Sequence, residues 1–128
     1  MSHELRHEDV FAYSPKTRAR PVGEGIRRIL LSHDQQVTLA KEWFEPGAAG
    51  GSDANTQSQI SYVLDGFFEV DVDGKTQILG PGGSFFVPRG SRHSTVCREA
   101  GTLLNVVGAV RTAFPEQNHI SNTRSGCD

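Results

Sequence analysis

Short runs rich in β-branched and aromatic residues recur along the chain from Arg27 onward, and glycine, proline or aspartate separates most of them. No stretch repeats apolar residues at positions i, i+3, i+4 and i+7 beyond about one turn, so we expect little or no helix. The pattern predicts an all-β fold, with strands in the runs RRILLS, QVTLAKEWFE, QISYVL, FFEVDV, KTQILG, SFFVP, HSTVC and TLLNVVGAV.

The clearest local feature is a hairpin around Asp73-Gly74. Phe68, Val70 and Val72 alternate with acidic residues before this pair, which accepts the positive φ angles of a type I′ turn. Further turns are predicted at Pro46-Gly47, Asp65-Gly66, Pro81-Gly82-Gly83 and Arg89-Gly90. Turns at this spacing favour a sandwich or a barrel of short strands.

The size of the chain indicates a single domain. Its 128 residues, of which 36 % are apolar, suffice for one hydrophobic core and are too few for two ordinary domains. Residues 1–25 mix charges, proline and glycine without periodicity, which predicts an arm lying over the core. The barrel itself is expected over residues 26–114, and the polar residues 115–128 are expected to form a tail.

Composition narrows the range of partners. Thirteen basic and fifteen acidic side chains give a net charge of -2, and no dense basic run is present that could follow a nucleic-acid backbone. No apolar run approaches the roughly 20 residues that cross a bilayer. Cys97 and Cys127 are too few for a disulfide framework and are interpreted as free thiols, Cys97 as a buried one. We therefore expect a cytoplasmic protein that binds neither nucleic acid nor membranes.

Two segments contain polar and glycine residues at informative spacing. Gly47, Asp53, Asn55, Gln59 and Gly66 are separated by five, one, three and six residues. This spacing resembles the first motif of the cupin family, G-x5-H-x-H-x3-E-x6-G, with each of the three ligand letters changed. Glycines at such offsets allow the sharp turns between short barrel strands.

The second segment reproduces its motif more fully. Gly82, Pro88, Gly90 and His93 fall on the positions of the second cupin motif, G-x5-P-x-G-x2-H-x3-N, and Cys97 replaces the final asparagine. The resemblance implies a double-stranded β-helix, the jelly-roll barrel of the cupins. The runs GIRRILLS and VVGAVRTAF further resemble the pectin-degradation branch, whose members open unsaturated uronates with a divalent metal.

The resemblance also implies a pocket whose ligand positions are Asp53, Asn55, Gln59 and His93. Carboxylate and amide oxygens should hold Zn or Ni less tightly than three imidazoles would. The pocket is expected either to bind one divalent ion weakly (Mn, Zn, Ni or Fe) or to have lost its metal. Asp53 and Asn55 fit a surface loop equally well, and Gln59 fits a polar strand end.

His93 is the candidate catalytic residue, as a general acid or base or as a metal ligand. The alternative is a structural histidine that forms hydrogen bonds within the protein. Arg27 and Arg28 could bind a ligand carboxylate, although the sequence favours solvent exposure for both. If Gln59 faces the barrel interior, Ile60, Tyr62 and Leu64 form an apolar row on the outer face. Either the N-terminal arm or a second subunit must cover this row, and we expect a homodimer.

Three functions follow from these features. The first is a small-molecule enzyme, an isomerase or lyase acting on a polar metabolite such as a sugar acid. The second is a non-catalytic module that binds a ligand or dimerises after losing its metal. The third, an oxygen-dependent dioxygenase, is the weakest, because such chemistry needs an iron centre with several histidine and carboxylate ligands.

Overall fold

A computed structural model describes residues 10–108 of the chain, and within them the predicted all-β fold is confirmed. The only helix in this range is a 3-10 helix at Lys16–Arg18. Residues 10–108 contain no helix that is long and apolar enough to span a membrane. The strands are β1 (Arg20–Gly23), β2 (Ile26–His33), β3 (Val37–Phe44), β4 (Ala49–Ser52), β5 (Gln59–Val72), β6 (Lys75–Leu79), β7 (Ser84–Val87) and β8 (His93–Gly108).

Two long antiparallel strands, β5 and β8, connect the two halves of the fold. Their pairing runs from Gln59 opposite Val107 to Val72 opposite His93. The first part of β5 also pairs with β7 and the last part with β6, while β8 pairs with β3 at one end and β4 at the other. The strand order β1-β2-β3-β8-β5-β6 therefore curves around a common interior, as in a jelly roll.

The turn predicted at Asp65-Gly66 is wrong, because the chain continues through it as one strand. The β5–β8 register shifts between Val63 and Phe68, which marks a β-bulge. Gly66 has φ of 82°, and a Cβ on it would lie 2.4 Å from the Cα of Gly101. Glycine is thus needed at the bulge, both for the positive φ angle and for the close approach of the two backbones. In the sequence, an Asp-Gly pair at such a bulge resembles one at a turn.

The predicted hairpin at Asp73-Gly74 is confirmed. These residues have φ of 51° and 89°, and Val72 pairs with Lys75 across the turn. The Asp71 carboxylate accepts hydrogen bonds from the Gly74 amide at 3.0 Å and the Thr76 hydroxyl at 2.6 Å. Those bonds lower the pKa of Asp71.

Two short strands lie where the sequence predicted none. Strand β1 pairs with β2 through a turn at Gly25, so the sheet begins within the predicted N-terminal arm. Strand β4 pairs with β8 in a glycine-rich stretch that reads as a loop. A Cβ on Gly51 would lie 2.3 Å from the carbonyl oxygen of His93, so glycine lets the two backbones approach. The predicted tail lies outside the described residues.

The core packs between the two halves of the barrel. Phe44 and Phe68 meet edge to face, with ring centroids 5.2 Å apart. Both are at most 5 % exposed, whereas Trp43, the neighbour of Phe44 on β3, is only partly buried. The buried cluster comprises Ile26, Phe44, Ala48, Val63, Phe68, Val70, Cys97 and Leu103.

Candidate active site

A cavity of about 730 Å³ opens between the inner faces of the strands and the segment after β4. Ile26, Phe44 and Leu103 belong to both the core and the cavity lining, so the core supplies its apolar wall. Polar side chains on β2, β3, β5 and β8 line another wall, among them Arg28, Glu42, Gln59, His93 and Asn105. A cavity with one apolar wall and convergent polar groups suits a small polar ligand.

Glu42 is the one carboxylate among the described residues that line the cavity, and it is only 7 % exposed. The Arg28 guanidinium on the adjacent strand donates to Glu42 Oε2 from Nε at 2.7 Å, and its Nη2 lies 2.6 Å from the same oxygen. The Asn105 amide donates to Glu42 Oε1 at 2.8 Å. Both oxygens of the buried carboxylate are therefore satisfied, as a buried charge requires.

The hydrogen bonds continue from Asn105 across the cavity wall. Ser61 donates its hydroxyl proton to Asn105 Oδ1 at 2.5 Å, and Gln59 Nε2 donates to Ser61 Oγ at 2.9 Å. Asn55 Nδ2 lies 3.4 Å from Gln59 Oε1 and is a longer, weaker donor. We call this set the hydrogen-bonded row: Arg28, Glu42, Asn105, Ser61, Gln59 and Asn55.

The strand pairing explains why the row is continuous. Ala40, Asn105 and Ser61 are neighbours across β3, β8 and β5 in one line of the register. Because side chains alternate along each strand, all residues on such a line point to the same face. The Gln59, Ser61 and Val63 alternation predicted from the sequence is confirmed, since Ser61 and Val63 are fully buried and Ile60 is 51 % exposed.

His93 lines the cavity from the start of β8 and is 9 % exposed. Its Nδ1 is buried and has no hydrogen-bond partner among residues 10–108. The ring of Phe85 lies beside it, with the two ring centroids 6.4 Å apart. Desolvation by burial lowers the pKa of His93, and the charge of Glu42 raises it partly back. The imidazole is thus neutral near pH 7 and is not held at Nδ1 as a structural histidine would be.

The structure places the four predicted metal ligands differently. Asn55, Gln59 and His93 line the cavity, whereas Asp53 is exposed and lies outside its lining. In the part of the chain that the structure describes, no group of three or more His, Cys, Asp and Glu side chains could hold a metal. The donors that do meet are one imidazole and two amides that already bond to neighbours. A single imidazole with two hydrogen-bonded amides is a poor donor set for a divalent cation.

Sequence reasoning missed Glu42 and Asn105 as site residues and favoured solvent exposure for Arg28. The available signal was a polar residue at an inward position of an otherwise apolar strand, as for Glu42 between Ala40 and Phe44. Arg27, by contrast, is exposed and lies outside the cavity lining. His33 is also outside it, with Nδ1 3.3 Å from the Leu31 carbonyl oxygen.

Cys97 belongs to the core and not to the cavity lining. It is 1 % exposed, and its thiol lies 2.9 Å from the Glu99 carbonyl oxygen. Burial raises the pKa of Cys97. The expectation of a buried thiol is therefore confirmed, and its raised pKa disfavours the reactive thiolate.

The sequence and the fold both match known proteins. Residues 41–107 match the family model described as "Cupin domain". The pectin degradation protein KdgF of Dickeya dadantii is 30 % identical over 84 residues, which cover 65 % of this chain and 76 % of that protein.

Two solved structures support the same assignment. An RmlC-like cupin from Shewanella frigidimarina superposes with a TM-score of 0.74 at 36 % identity, covering 80 % of this chain and 93 % of its own. KdgF from Halomonas sp. superposes with a TM-score of 0.71 at 28 % identity, covering 80 % and 94 %.

Proposed function

The chain belongs to the cupin family and has its double-stranded β-helix, and from this premise we propose that it is an isomerase or lyase acting on a small sugar acid. The substrate would bind in the cavity, and His93 would transfer the proton. The single observation that supports this role most is a buried imidazole in a ligand-sized cavity, with Nδ1 free of any hydrogen bond to the described residues. Such a ring is available to a ligand.

The substrate class rests on the relatives and on the cavity. Two of the similar proteins are KdgF proteins, one of them described as a pectin degradation protein, and pectin is a polymer of sugar acids. The lining combines amides and hydroxyls with one guanidinium, which are the donors and acceptors that a hydroxylated acid needs.

Ring opening of a cyclic sugar acid illustrates the proposed chemistry. The anomeric hydroxyl loses its proton to the imidazole, the bond between the anomeric carbon and the ring oxygen breaks, and a carbonyl forms. The ring oxygen then takes the proton back from the imidazolium, so the step is an isomerisation with no net proton change. A neutral His93 can start this cycle because its lowered pKa leaves it unprotonated.

The proposal involves no metal. The residues at the predicted ligand positions do not suit a divalent ion, and Glu42 is engaged by Arg28 and Asn105. The proton transfer is assigned to His93 alone. The neighbouring amides of Gln59 and Asn105 are assigned to holding the hydroxyl groups of the substrate.

The test uses 4,5-unsaturated galacturonate. Ring opening converts its ring oxygen into an enol hydroxyl, the enol tautomerises to a ketone as its proton moves to carbon four, and the ultraviolet absorbance of the conjugated double bond is lost. We expect turnover by the wild type in the presence of EDTA, and a loss of roughly 100-fold or more in kcat in His93→Gln. His33→Gln is the matched control and should retain full activity, because His33 lies outside the cavity lining. Equal rates for His93→Gln and wild type would overturn the role of His93.

A second candidate is a ligand-binding module without catalysis. The observation in its favour is that the side chains of the hydrogen-bonded row satisfy one another, so the row needs no added group to complete its hydrogen bonds. Under this alternative the protein binds the sugar acid but leaves its absorbance unchanged, and His93→Gln alters neither result. The same assay therefore separates the two functions.

We also propose that the protein is a homodimer. Ile60, Tyr62 and Leu64 are 51 %, 45 % and 37 % exposed on the outer face of β5. Phe86 and Val106 pair with Ile60 from the flanking strands and are exposed as well. A contiguous apolar face of this kind favours burial against a second copy.

The buried free thiol of Cys97 is compatible with the reducing cytoplasm that the sequence predicts.

A further inference from the structure

Arg28 supplies a positive charge to the cavity lining. It projects from β2 into the cavity lining, and its side chain is 44 % exposed although it pairs with a buried carboxylate. It is the only Arg or Lys among the described residues that line the cavity. An anionic group of a ligand inside the cavity therefore finds one permanent positive charge there, that of Arg28.

The pairing with Glu42 leaves half of the guanidinium free. Nε at 2.7 Å and Nη2 at 2.6 Å both approach one oxygen, Glu42 Oε2, so the carboxylate covers the Nε–Nη2 edge. Within residues 10–108 the Nη1–Nη2 edge has no further hydrogen-bond partner. Two parallel N–H groups at the end of an arginine match the two oxygens of a carboxylate.

Glu42 also fixes the orientation of this free edge. The Asn105 amide holds the second oxygen of Glu42, so the carboxylate cannot rotate without breaking a buried hydrogen bond. A guanidinium anchored on one edge loses little further freedom when its other edge binds a ligand. The negative charge of Glu42 offsets part of the positive charge of Arg28. Recognition then depends more on the planar two-point geometry than on charge alone.

We propose that the Nη1–Nη2 edge of Arg28 is the subsite for the carboxylate of the substrate, held in place by Glu42. This inference rests on the proposed sugar-acid function and specifies which side chain distinguishes an acid from a neutral sugar. Arg28 is a binding residue in this account and Glu42 is a positioning residue.

Binding of D-galacturonate and D-galactose, measured by calorimetry, tests the subsite. These probes share one ring and differ in the carboxylate at carbon six. The wild type should bind the acid more tightly, and Arg28→Gln should lose at least about tenfold in affinity for the acid and little for the neutral sugar. Arg27→Gln is the matched control on the same strand and should bind as the wild type does.

Two further variants help to distinguish a loss of carboxylate binding from misfolding. Arg28→Gln leaves the buried Glu42 carboxylate short of a donor, so Arg28→Gln/Glu42→Gln removes both charges together and should lose the same preference. Arg28→Lys retains a cation and should recover only part of the preference, since an ammonium group lacks the fork. Melting curves establish which variants are folded.

The outcomes distinguish a failure of the Arg28 subsite from a failure of the proposed sugar-acid function. If the wild type prefers the acid and the folded Arg28 variants keep that preference, the subsite is wrong and the sugar-acid function stands. If the wild type binds both sugars equally, or neither, the sugar-acid class and the subsite are both overturned.

Discussion

The Glu42 carboxylate and the His93 imidazole line one cavity from β3 and β8, and the negative charge of Glu42 raises a pKa that burial lowers. The two effects oppose each other, and burial is the larger. His93 is therefore a neutral base at pH 7, and the negative charge of Glu42 favours the imidazolium that would form during a reaction. This relationship leads to measurable consequences for the titration of His93.

Glu42→Gln should lower the pKa of His93 further, because it removes the charge that stabilises the imidazolium and leaves the desolvation. The titration is followed by nuclear magnetic resonance on the His93 ring protons. Glu24→Gln, an exposed carboxylate outside the cavity lining, serves as the control and should leave the curve unchanged. An unchanged or raised pKa in Glu42→Gln would show that the two groups do not interact as described.

Burial of neutral His93 also makes stability depend on pH. Its pKa in the folded protein is below the ordinary value of 6.5, so between these values the unfolded chain binds more protons than the folded one. The free energy of unfolding should therefore fall as pH drops below about 6.5, and level off with respect to this group below the folded pKa. In His93→Gln this contribution disappears, and chemical denaturation at a series of pH values compares the two proteins. A wild type that gains stability relative to the variant on acidification would contradict the prediction.

Asn105→Ala tests the hydrogen-bonded row. It leaves one oxygen of buried Glu42 and the Ser61 hydroxyl without their partner, which should reduce the free energy of unfolding by about 2 kcal/mol. Urea unfolding, followed by the fluorescence of Trp43, measures the change. Gln77→Ala on exposed β6 is the control and should change stability by no more than about 0.5 kcal/mol. Equal effects of the two substitutions would mean that the row does not stabilise the fold.

The outer apolar face predicts a dimer that one substitution can separate. Ile60→Glu places a charge at the centre of this face, so sedimentation should show a dimer for the wild type and a monomer for the variant. Ile78→Glu is the matched control, because Ile78 is 59 % exposed on β6, away from the face. A wild-type monomer, or a dimer that survives Ile60→Glu and dissociates in Ile78→Glu, would place the interface elsewhere or remove it.

The sequence predicted those parts of the fold that depend on residues close together in the chain. The turn at Asp73-Gly74 depends on two residues that accept positive φ, and the burial of Ser61 and Val63 follows from alternation along one strand. Strand β4 escaped prediction because its glycines serve close backbone approach to β8, while in sequence they resemble a loop. The bulge at Gly66 was mistaken for a turn for the same reason.

The site was predictable only in part because most of its contacts are distant in sequence. The motif spacing indicated Asn55, Gln59 and His93, which line the cavity, but it could not show that Asp53 is exposed. Asn105 and Glu42 lie 63 positions apart and meet only because β3 pairs with β8. No local pattern contains that pairing, so their bond became visible only in the folded structure.

The most direct test of His93 as the proton-transferring group is the pH dependence of kcat/KM for 4,5-unsaturated galacturonate in wild type and Glu42→Gln. The account predicts that the rate falls on acidification with an inflection at the pKa of His93, below its ordinary value of 6.5. In Glu42→Gln the inflection and the His93 pKa measured by magnetic resonance should move down together. An inflection that stays in place while the His93 pKa moves would assign the proton transfer to another group.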